Sequence, residues 1–509
     1  MSKRHIVVFS GGSAANNLVD VFGKLAEDRG CSLSYIIPIS DNGGSSSELI
    51  RVFGGPGIGD VRSRLVRLIP ENASFPETTA IKTLFNHRLS PDPSLARIEW
   101  LELVESRHVL WTSISSEKRE LIRSLFNTIN LEIVKRLRPT SSYNFQSASV
   151  GNLFLTGARL FTGSFESAIY LLGAITGVPG NVNVIPAINS NFSHHIAAGL
   201  EDGTQITGQN AISHPSAPSS AATPGGGNTS SGSENQQTSQ QEQEEDEEHM
   251  SPTTIRARTL SADLSLHDTI EDANLPGSLP TLRKHYITFL KSHTSLLPSR
   301  ISRIWYINPY GQEIRPAPNP KVVSSMEEAS AVVYSIGSLY TSIIPCLVLR
   351  DVGRAIAGVF GGGGRCKILI LNGTLDRETR AEGMEFTAMD FVAAIADACF
   401  SSSSSTSTPT PSTQIKAPES TYKDYVTHVV HLQGQGAPRV EKAELARLGV
   451  ECLRIYGRKV EVGDGEEGGM IYDGTALGQA LEAIVGGGKR KEGVVSRRNT
   501  LGFTGEGGG

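Results

Sequence analysis

The stretch Ile6–Asn16, with the sequence IVVFSGGSAAN, decides the fold of this chain. Four apolar residues lead into a Gly-Gly pair and a helical pattern follows, which predicts a buried strand, a tight turn and a helix. Backbone N–H groups at the start of such a helix are unpaired and lie at the positive end of its dipole. The stretch therefore predicts phosphate binding at Gly11, Gly12 and Ser13, with a sharp turn that binds nothing as the alternative.

A second glycine-rich region follows the next apolar strand, which we predict at Leu33–Ile39. It begins at Asp41 with the sequence DNGGSSS and continues to Arg62 through the sequence GGPGIGDVR. Ligands of open parallel sheets bind outside the carboxyl ends of the strands, and Asp41 follows such an end. We therefore expect an anionic, nucleotide-like ligand at this edge of the sheet.

The composition argues against several classes of protein. Hydrophobic residues make up 38% of the 509 residues and charged residues 19%, as in a soluble globular protein with polar insertions. The formal net charge of −5 argues against nucleic-acid binding, which needs a concentrated basic surface. No apolar run approaches the roughly 18 residues of a membrane span, and Ile6–Phe9 is too short for a signal-peptide core. The five cysteines form no CxxC pair, which indicates reduced thiols and a cytoplasmic location.

Polar segments interrupt the chain. Residues 214–280 contain a Ser/Ala/Pro-rich start, a Gln-rich patch and an acidic run, which bury too little apolar surface to offset the entropy of ordering. Residues 401–420 begin with nearly pure Ser, Thr and Pro, and residues 487–509 are rich in Gly, Lys and Arg, so a flexible loop and a flexible tail are predicted. The remaining pieces are predicted to form one α/β domain: 1–213, 281–400 and 421–486.

Short apolar strands alternate with helical patterns along this domain. The predicted strands are Ile6–Phe9, Leu33–Ile39, Ala331–Tyr334, Lys367–Leu371 and Val426–His431. The predicted helices are Asn16–Asp28, Ser116–Arg136, Phe165–Thr176 and Ala388–Ala398. This alternation indicates a mainly parallel sheet covered by helices on both faces, which is a three-layer α/β/α arrangement. In the second of these helices, a core-facing stripe is predicted at Leu121, Leu125, Ile129 and Ile133.

Neither glycine region completes a standard nucleotide fingerprint. Gly11-Gly12 does not complete G-x-G-x-x-G, and the sequence contains no G-x-x-x-x-G-K-[ST] motif. An NAD(P) oxidoreductase and a P-loop kinase are therefore disfavoured. The pair His194-His195 has no third ligand at metal-binding spacing, so we assign it to a surface loop.

Six segments occur in the same order as in a known family. They are Ser10–Ser13 (SGGS), Asp41–Ser46 (DNGGSS), Gly59–Arg62 (GDVR), Val150–Phe154 (VGNLF), Ile336–Pro345 (IGSLYTSIIP) and Thr387–Asp390 (TAMD). Together they resemble the CofD/YvcK family, which contains the 2-phospho-L-lactate transferases of deazaflavin coenzyme synthesis and the YvcK-type gluconeogenesis factors.

The resemblance implies a Rossmann-like fold that binds the nucleoside-diphosphate part of a GDP- or UDP-linked small molecule, with Mg²⁺ as cofactor. It places nucleotide- or phosphate-binding residues at Gly11, Gly12, Ser13, Gly43, Gly44, Ser45, Arg62, Gly151, Asn152, Gly337, Ser338 and Thr341. In this interpretation the amides and hydroxyls of the turns bind phosphate oxygens. Arg62 pairs with a phosphate bidentately, and the side-chain amide of Asn152 both donates and accepts.

Asp41 and Asp60 are the predicted catalytic carboxylates and Mg²⁺ ligands, because Mg²⁺ favours one or two carboxylates plus substrate phosphates. The metal and fixed N–H groups would stabilise the charge that develops during phosphoryl transfer. The alternative for Asp41 is a turn residue that bonds its own backbone. The alternative for Asp60 and Arg62 is capping of a helix that begins near Val61.

The sequence departs from the family at Asn42, where the family has a second Asp, and this removes one candidate metal ligand or base. Besides the disfavoured NAD(P) oxidoreductase, two functions stay open. The first is a transferase that moves a phosphorylated group, such as 2-phospho-L-lactate, from a nucleoside-diphosphate donor to an acceptor hydroxyl. The second is a non-catalytic nucleotide-sugar sensor that regulates carbon or cell-wall metabolism. A homodimer, and protein partners bound through the polar insertions, are further expectations.

Overall fold

The computed structural model describes residues 5–12, 14–71, 76–137, 142–213, 279, 282, 296–358, 365–403, 415–461 and 467–486. The predicted insertion at 214–280, apart from residue 279, and the predicted tail at 487–509 lie outside the described residues. Ser13 also lies outside them, so its phosphate contact stays a prediction.

The strands of the described ranges belong to three sheets. They are β1 His5–Phe9, β2 Ser32–Ile37, β3 Val182–Pro186, β4 His195–Leu200, β5 Gln205–Thr207, β6 Ile301–Ile307, β7 Glu313–Ile314, β8 Ala329–Tyr334, β9 Cys366–Ile370, β10 His428–His431, β11 Glu451–Arg454, β12 Gly457–Glu461 and β13 Glu467–Tyr472. Strands β12 and β13 pair as an antiparallel hairpin.

A seven-stranded parallel sheet forms the centre of the domain, with the strand order β11-β10-β9-β8-β1-β2-β3. The sheet grows from β1 to β3 in one direction and from β8 to β11 in the other. The direction therefore reverses between β1 and β8, which makes this the topological switch point, where ligands of such sheets bind. Helices cover both faces of the sheet, so the predicted Rossmann-like α/β fold is confirmed.

The helices vary widely in length. They are α1 Val19–Asp28, α2 Ser45–Phe53, α3 Gly59–Arg67, α4 Pro76–Asn86, α5 Pro93–Val104, α6 Ser116–Arg136, α7 Val150–Thr162, α8 Phe165–Thr176, α9 Gln209–Ser213, α10 Pro320–Glu328, α11 Ile344–Leu347, α12 Val352–Ala357, α13 Ala388–Ser403, α14 Lys442–Arg447 and α15 Gly474–Gly486. A π-helix spans Leu339–Ile343, directly before α11. Among the helices of the described ranges, none combines the length and the apolar character needed to cross a membrane.

All five predicted strands are present in the central sheet, as β1, β2, β8, β9 and β10, with ends within two residues of the prediction. These strands could be predicted from their apolar sequences because they are short and almost fully buried, as in β1, where every residue is buried. The predicted helix Asn16–Asp28 is divided into a 3₁₀ turn, Ala14–Leu18, and α1.

Helix α6 begins and ends where the sequence predicts, but its core-facing stripe is partly wrong. Leu121 is 54% exposed, whereas Ile122 is fully buried. Four-residue steps advance about 400° around a helix, so a stripe at that spacing drifts by about 40° per step. Leu121 is rotated off the face on which Leu125, Ile129 and Ile133 are buried.

The Ser-rich segment begins inside helix α13, which continues to Ser403 and so corrects the predicted start of the loop at residue 401. Tertiary hydrogen bonds explain the extension. The hydroxyl of Ser402 accepts the N–H of Gly353 at 2.8 Å, and its carbonyl accepts the N–H of Asp351 at 3.1 Å. Residues 404–414 lie outside the described part of the chain.

A four-stranded antiparallel sheet, with the order β5-β4-β6-β7, was not predicted. Its strands come from both sides of the 214–280 segment, so the pairing is long-range. His195 is the first residue of β4, pairs with Ile307 and is 3% exposed, which makes the surface-loop assignment wrong for this residue. Burial lowers the pKa of His195 to about 4, so its ring is neutral at physiological pH.

Candidate functional site

The turn after β1 and the segment after β8 meet at the switch point of the sheet. A Cβ placed on Gly11 would lie 2.6 Å from the Cβ of Ser342 and closer still to its hydroxyl oxygen. Ser342 belongs to the π-helix that follows β8 and is buried. The first glycine turn and the IGSLYTSIIP segment, more than 300 residues apart in sequence, therefore form adjacent walls of one site.

The second glycine of the turn lies directly against a predicted catalytic carboxylate. A Cβ on Gly12 would lie 3.0 Å from Cγ of Asp60 and closer still to Oδ1. Real Cβ atoms do not approach other atoms so closely, so any residue larger than glycine would displace either the carboxylate or the turn. Asp60 lies in the first turn of α3, which starts at Gly59.

Asp41 lies beside the same helix start. Its Oδ1 accepts the N–H of Gly43 at 3.0 Å, which confirms the alternative of a turn residue bonded to its own backbone. This bond uses only one carboxylate oxygen. A Cβ on Gly59 would lie 2.7 Å from Oδ2 of Asp41, so the second oxygen faces the first turn of α3, where Asp60 lies.

Both carboxyl groups are partly accessible to solvent but surrounded by protein. Burial and, to a smaller extent, the charge of Asp41 raise the pKa of Asp60 to about 7, while the charges of Arg64 and Arg62 oppose the shift. Burial also raises the pKa of Asp41, against the Gly43 hydrogen bond and the charge of Arg62. Within the described ranges, neither carboxylate forms an ion pair. Two carboxylates whose charges interact, and that form no ion pair among the described residues, are a donor set that fits Mg²⁺.

Arg62 belongs to a hydrogen-bond network that joins three helix starts. Its Nε donates to Oδ1 of Asn152 at 3.1 Å, and Nδ2 of Asn152 donates to the hydroxyl of Ser45 at 3.1 Å. The residue before α3 is Ile58, and no side chain caps this helix, so the capping alternative for Asp60 and Arg62 is wrong. Burial lowers the pKa of Arg62 to about 10, which still leaves the guanidinium charged at neutral pH.

Close backbone approach accounts for the glycine at the start of α7. A Cβ on Gly151 would lie 2.6 Å from the carbonyl oxygen of Phe85 and 2.9 Å from Cδ of Arg62. Gly151 thus brings Asn152 next to Arg62. Gly44, at φ 53°, precedes α2 and takes a backbone conformation that side chains rarely adopt.

Sequence reasoning missed Arg64, which holds the first glycine turn in place. This side chain is fully buried and donates to Oγ of Ser10 at 3.2 Å and to the carbonyls of Gly11 and Ala15 at 3.3 Å. Its guanidinium lies 4.5 Å from the ring centroid of Tyr35. The sequence signal was weak, since an arginine near the end of a short helix is usually solvated.

The segment after β8 is shaped by residues of the loop after β9. Gly337, at φ 137°, donates its N–H to Oδ1 of Asn372 at 2.9 Å and accepts from Nδ2 of Asn372 at 2.8 Å. Ser338 forms a side-chain hydrogen bond with Asp376. The loop after β9 therefore holds Gly337 and Ser338, two of the predicted phosphate-binding residues, in place, and none of its polar residues was identified as a site residue from the sequence.

Thr341 does not present its polar groups to a ligand, contrary to the prediction. Its N–H donates to Oε2 of Glu378 at 3.1 Å, and its hydroxyl bonds the other oxygen of the same carboxyl group. The N–H of Tyr340 also donates to Glu378, at 2.9 Å. Thr341 is 2% exposed, so its side chain supports the segment after β8 and does not line a ligand site.

Replacing Glu378 by Gln is expected to flatten the pH dependence of stability. Burial and the neighbouring Asp376 raise the pKa of Glu378 to about 8. Because this folded-state pKa lies above the unfolded one, wild-type stability falls as the pH rises from about 4.5 to about 8. Gln keeps the shape of the neutral acid, so Glu378→Gln should exceed the wild type by on the order of 2–4 kcal/mol at pH 9 and by little at pH 4.

Urea unfolding of both proteins from pH 4 to pH 9 measures this difference. The control is Glu382→Gln, which changes an exposed glutamate four residues away. A Glu378→Gln variant that loses stability at pH 9 would show that the ionised carboxylate stabilises the fold.

The parallel sheet with helices on both faces defines the chain as a Rossmann-like α/β protein, and Asp41 and Asp60 lie together beside the switch point of its sheet. The sequence model of the family described as 2-phospho-L-lactate transferase CofD matches residues 6–454. The chain therefore belongs to the CofD family.

Relatives and solved structures agree with this assignment. The chain is similar to YNL011C, an uncharacterized protein of Saccharomyces cerevisiae, at 36% identity over 89% of this chain and 95% of that protein. It is also similar to the gluconeogenesis factor of Halalkalibacterium halodurans, at 26% identity over 42% of this chain and 46% of that protein. Two crystal structures of BH3568 from Bacillus halodurans, a member of the UPF0052 family, superpose with TM-scores of 0.53 and 0.52 at 19% identity, covering 94% of this chain and 99% of theirs.

Proposed function

We propose that this chain is a nucleoside-diphosphate-binding transferase that moves a phosphorylated group, such as 2-phospho-L-lactate, to an acceptor hydroxyl with the help of Mg²⁺. The observation that carries the proposal is the Asp41–Asp60 pair against the Gly11-Gly12 turn at the switch point. This arrangement combines the amides of a tight turn, which can bind phosphate, with carboxylates that form no ion pair among the described residues. Membership of a transferase family supports the same reaction class.

In this reaction the acceptor oxygen forms a new bond to the phosphorus that carries the transferred group. The phosphorus–oxygen bond to the bridging oxygen of the diphosphate breaks, and the nucleoside monophosphate leaves with that oxygen. The acceptor hydroxyl loses its proton, which we assign to Asp60, because a pKa of about 7 suits a base at neutral pH. The amides of the glycine turn and the guanidinium of Arg62 stabilise charge on the phosphate oxygens.

Oδ2 of Asp41 is the first candidate ligand for Mg²⁺, since the turn uses only Oδ1. Asp60 is the second candidate, through the oxygen that does not take up the proton. When bound, Mg²⁺ would neutralise charge on the donor phosphates. Asn42 offers an amide oxygen, a weaker ligand for this hard cation than the family's carboxylate.

Asn42 also favours a second function, a non-catalytic regulator that binds a nucleotide sugar. Its Oδ1 is buried and has no hydrogen-bond partner among the described residues, so it is available to a ligand without being a base. The relative named gluconeogenesis factor supports such a regulatory function, although the match covers under half of each chain.

A thermal-shift panel with GDP, UDP-N-acetylglucosamine and NADP, each with and without Mg²⁺, separates these functions. A ligand at 100 times its Kd stabilises the folded state by about 2.7 kcal/mol. Stabilisation by GDP that needs Mg²⁺ supports the transferase, and UDP-sugar binding that ignores Mg²⁺ supports the regulator. If no nucleotide stabilises the protein, the nucleotide site is rejected.

Asp41→Asn is expected to abolish the Mg²⁺-dependent part of nucleotide binding, because it removes the carboxylate charge but keeps the turn hydrogen bond to Gly43. The measurement is the thermal shift by GDP over a titration of Mg²⁺. Asp28→Asn, at the exposed end of α1, is the matched control and should respond like the wild type. An unchanged Mg²⁺ response in Asp41→Asn rejects this ligand assignment.

A further inference from the structure

Two histidines and one glutamate converge on the surface between α4, α5 and the 3₁₀ turn Val109–Trp111. Nε2 of His87 lies 2.6 Å from Oε1 of Glu99, and Nε2 of His108 lies 3.6 Å from the same oxygen. One donor atom from each residue lies within 4.8 Å of the other two. We propose that His87, Glu99 and His108 form a transition-metal site, with Zn²⁺ as its best-fitting ion, separate from the candidate Mg²⁺ site.

The spacing of the three donors is close to what a tetrahedral ion requires. Zn–N and Zn–O bonds of about 2.0–2.2 Å place neighbouring ligand atoms about 3.3–3.5 Å apart. The His108–Glu99 separation of 3.6 Å already matches this value, and the His87–Glu99 pair has only to open by less than 1 Å. Three protein ligands leave the fourth position to water, as in open zinc sites.

The surroundings orient the carboxylate and leave it accessible. Oε2 of Glu99 accepts the N–H of Ser90 at 2.8 Å, so Oε1 is directed at the histidines. The side chains of His87, Glu99 and His108 are 29%, 20% and 14% exposed, which allows an ion to enter from solvent. Imidazole nitrogens together with one carboxylate favour Zn²⁺ over Mg²⁺, which prefers oxygen ligands.

Metal binding competes with one existing hydrogen bond. Nδ1 of His108 accepts the N–H of Leu110 at 3.2 Å, which places the ring proton of the neutral imidazole on Nε2. A metal bound at Nε2 moves that proton to Nδ1, so the amide of Leu110 must turn away. The turn that contains Leu110 has only three residues, and this rearrangement costs a single weak bond.

The proposed metal site adjoins the segment that contacts the start of α7, and a bound ion would stabilise this contact. The carbonyl of His87 accepts the N–H of Val150 at 3.1 Å, and Leu89 donates its N–H to the carbonyl of Ala148 at 2.9 Å. The segment from His87 to Ser90 thus supports the helix start that carries Asn152. A metal that joins this segment to α5 would hold it in place, whether or not the proposed transferase function is correct.

The test is binding of Zn²⁺ and Co²⁺ to the metal-free full-length chain. We expect one tight equivalent of Zn²⁺, and visible Co²⁺ bands without the thiolate charge-transfer absorption that cysteine ligation produces. Glu99→Gln and the double variant His87→Asn/His108→Asn should weaken Zn²⁺ binding by more than the about 10–100-fold that loss of an outer partner costs. Glu99→Gln keeps a hydrogen-bonding side chain, so it remains informative if the double variant does not fold.

The matched control is His428→Asn, because His428 lies 3.8 Å from Glu451 but belongs to no three-ligand group among the described residues. This variant should bind Zn²⁺ like the wild type. Hydrogen exchange at residues 87–90 and 148–152 should slow when Zn²⁺ is added. Absence of saturable binding, thiolate absorption with Co²⁺, or full retention of Zn²⁺ by Glu99→Gln and the double variant would overturn the proposal.

Discussion

Gly12→Ala is expected to abolish nucleotide binding without unfolding the protein. The added methyl would lie 3.0 Å from Cγ of Asp60 and closer still to Oδ1, so either the carboxylate or the turn must move. Either movement separates the phosphate-binding amides from the carboxylate pair. In a thermal-shift titration with GDP and Mg²⁺, the variant should lose the whole stabilisation of about 2.7 kcal/mol expected at 100 times the wild-type Kd.

A second glycine provides the control for this experiment. Gly23 lies within α1, and a Cβ placed there meets no atom within 4 Å. Gly23→Ala should therefore keep the full ligand response and gain about 0.5–1 kcal/mol of stability, because alanine favours the helix. If Gly12→Ala responds to GDP like Gly23→Ala, the turn does not contact the phosphates.

The central sheet could be predicted because its information is local. Each strand such as β1 is a short apolar run, and the Gly-Gly pair that ends it needs no distant partner to be recognised. The placement of Asp41 follows from the same reasoning, since the residues that follow parallel strands lie at a common edge. Asp60 follows α2 and not a strand, so its place beside Asp41 depends on tertiary packing. The order of the strands, and with it the switch point, depends on pairings that a single sequence does not reveal.

The side chains that hold the candidate site in place could not be predicted, because their partners are distant in sequence. Arg64 reaches back to the turn after β1, and Glu378 reaches the backbone of the π-helix from another loop. A buried arginine and a buried glutamate look in sequence like ordinary surface charges. For the same reason Thr341 was assigned to ligand binding, although its hydroxyl is already occupied by Glu378.

The candidate metal site could not be predicted from the sequence either. His87, Glu99 and His108 are separated by irregular spacings that match no metal-binding motif. They come together because the turn at Val109–Trp111, which follows α5, packs against α4, so the cluster is a product of tertiary packing. Of the pair His194-His195, which the sequence analysis assigned to a surface loop, His195 is instead the first residue of the buried strand β4.

Asp60→Asn is expected to stabilise the ligand-free protein while removing turnover. The wild-type carboxyl has a pKa of about 7 in the folded protein, raised by burial and by Asp41. The folded state therefore binds more protons than the unfolded state between about pH 4 and pH 7, and wild-type stability falls as the pH rises through that range. Asn carries no charge, so the variant should be more stable by on the order of 2–4 kcal/mol at pH 8 and nearly equal at pH 4.

Turnover is measured with a guanosine-diphosphate donor that carries a lactyl group, and the signal is the release of nucleoside monophosphate. Loss of the proton acceptor should slow release by about 10²–10⁴-fold, whereas binding of the donor should persist, because Asp41 and the turn amides remain. Asp20→Asn, an exposed aspartate on α1, should leave both stability and turnover almost unchanged. If Asp60→Asn gains stability but keeps wild-type turnover, Asp60 is not the proton acceptor. If the variant loses stability at pH 8, the charge of the Asp60 carboxylate stabilises the folded protein.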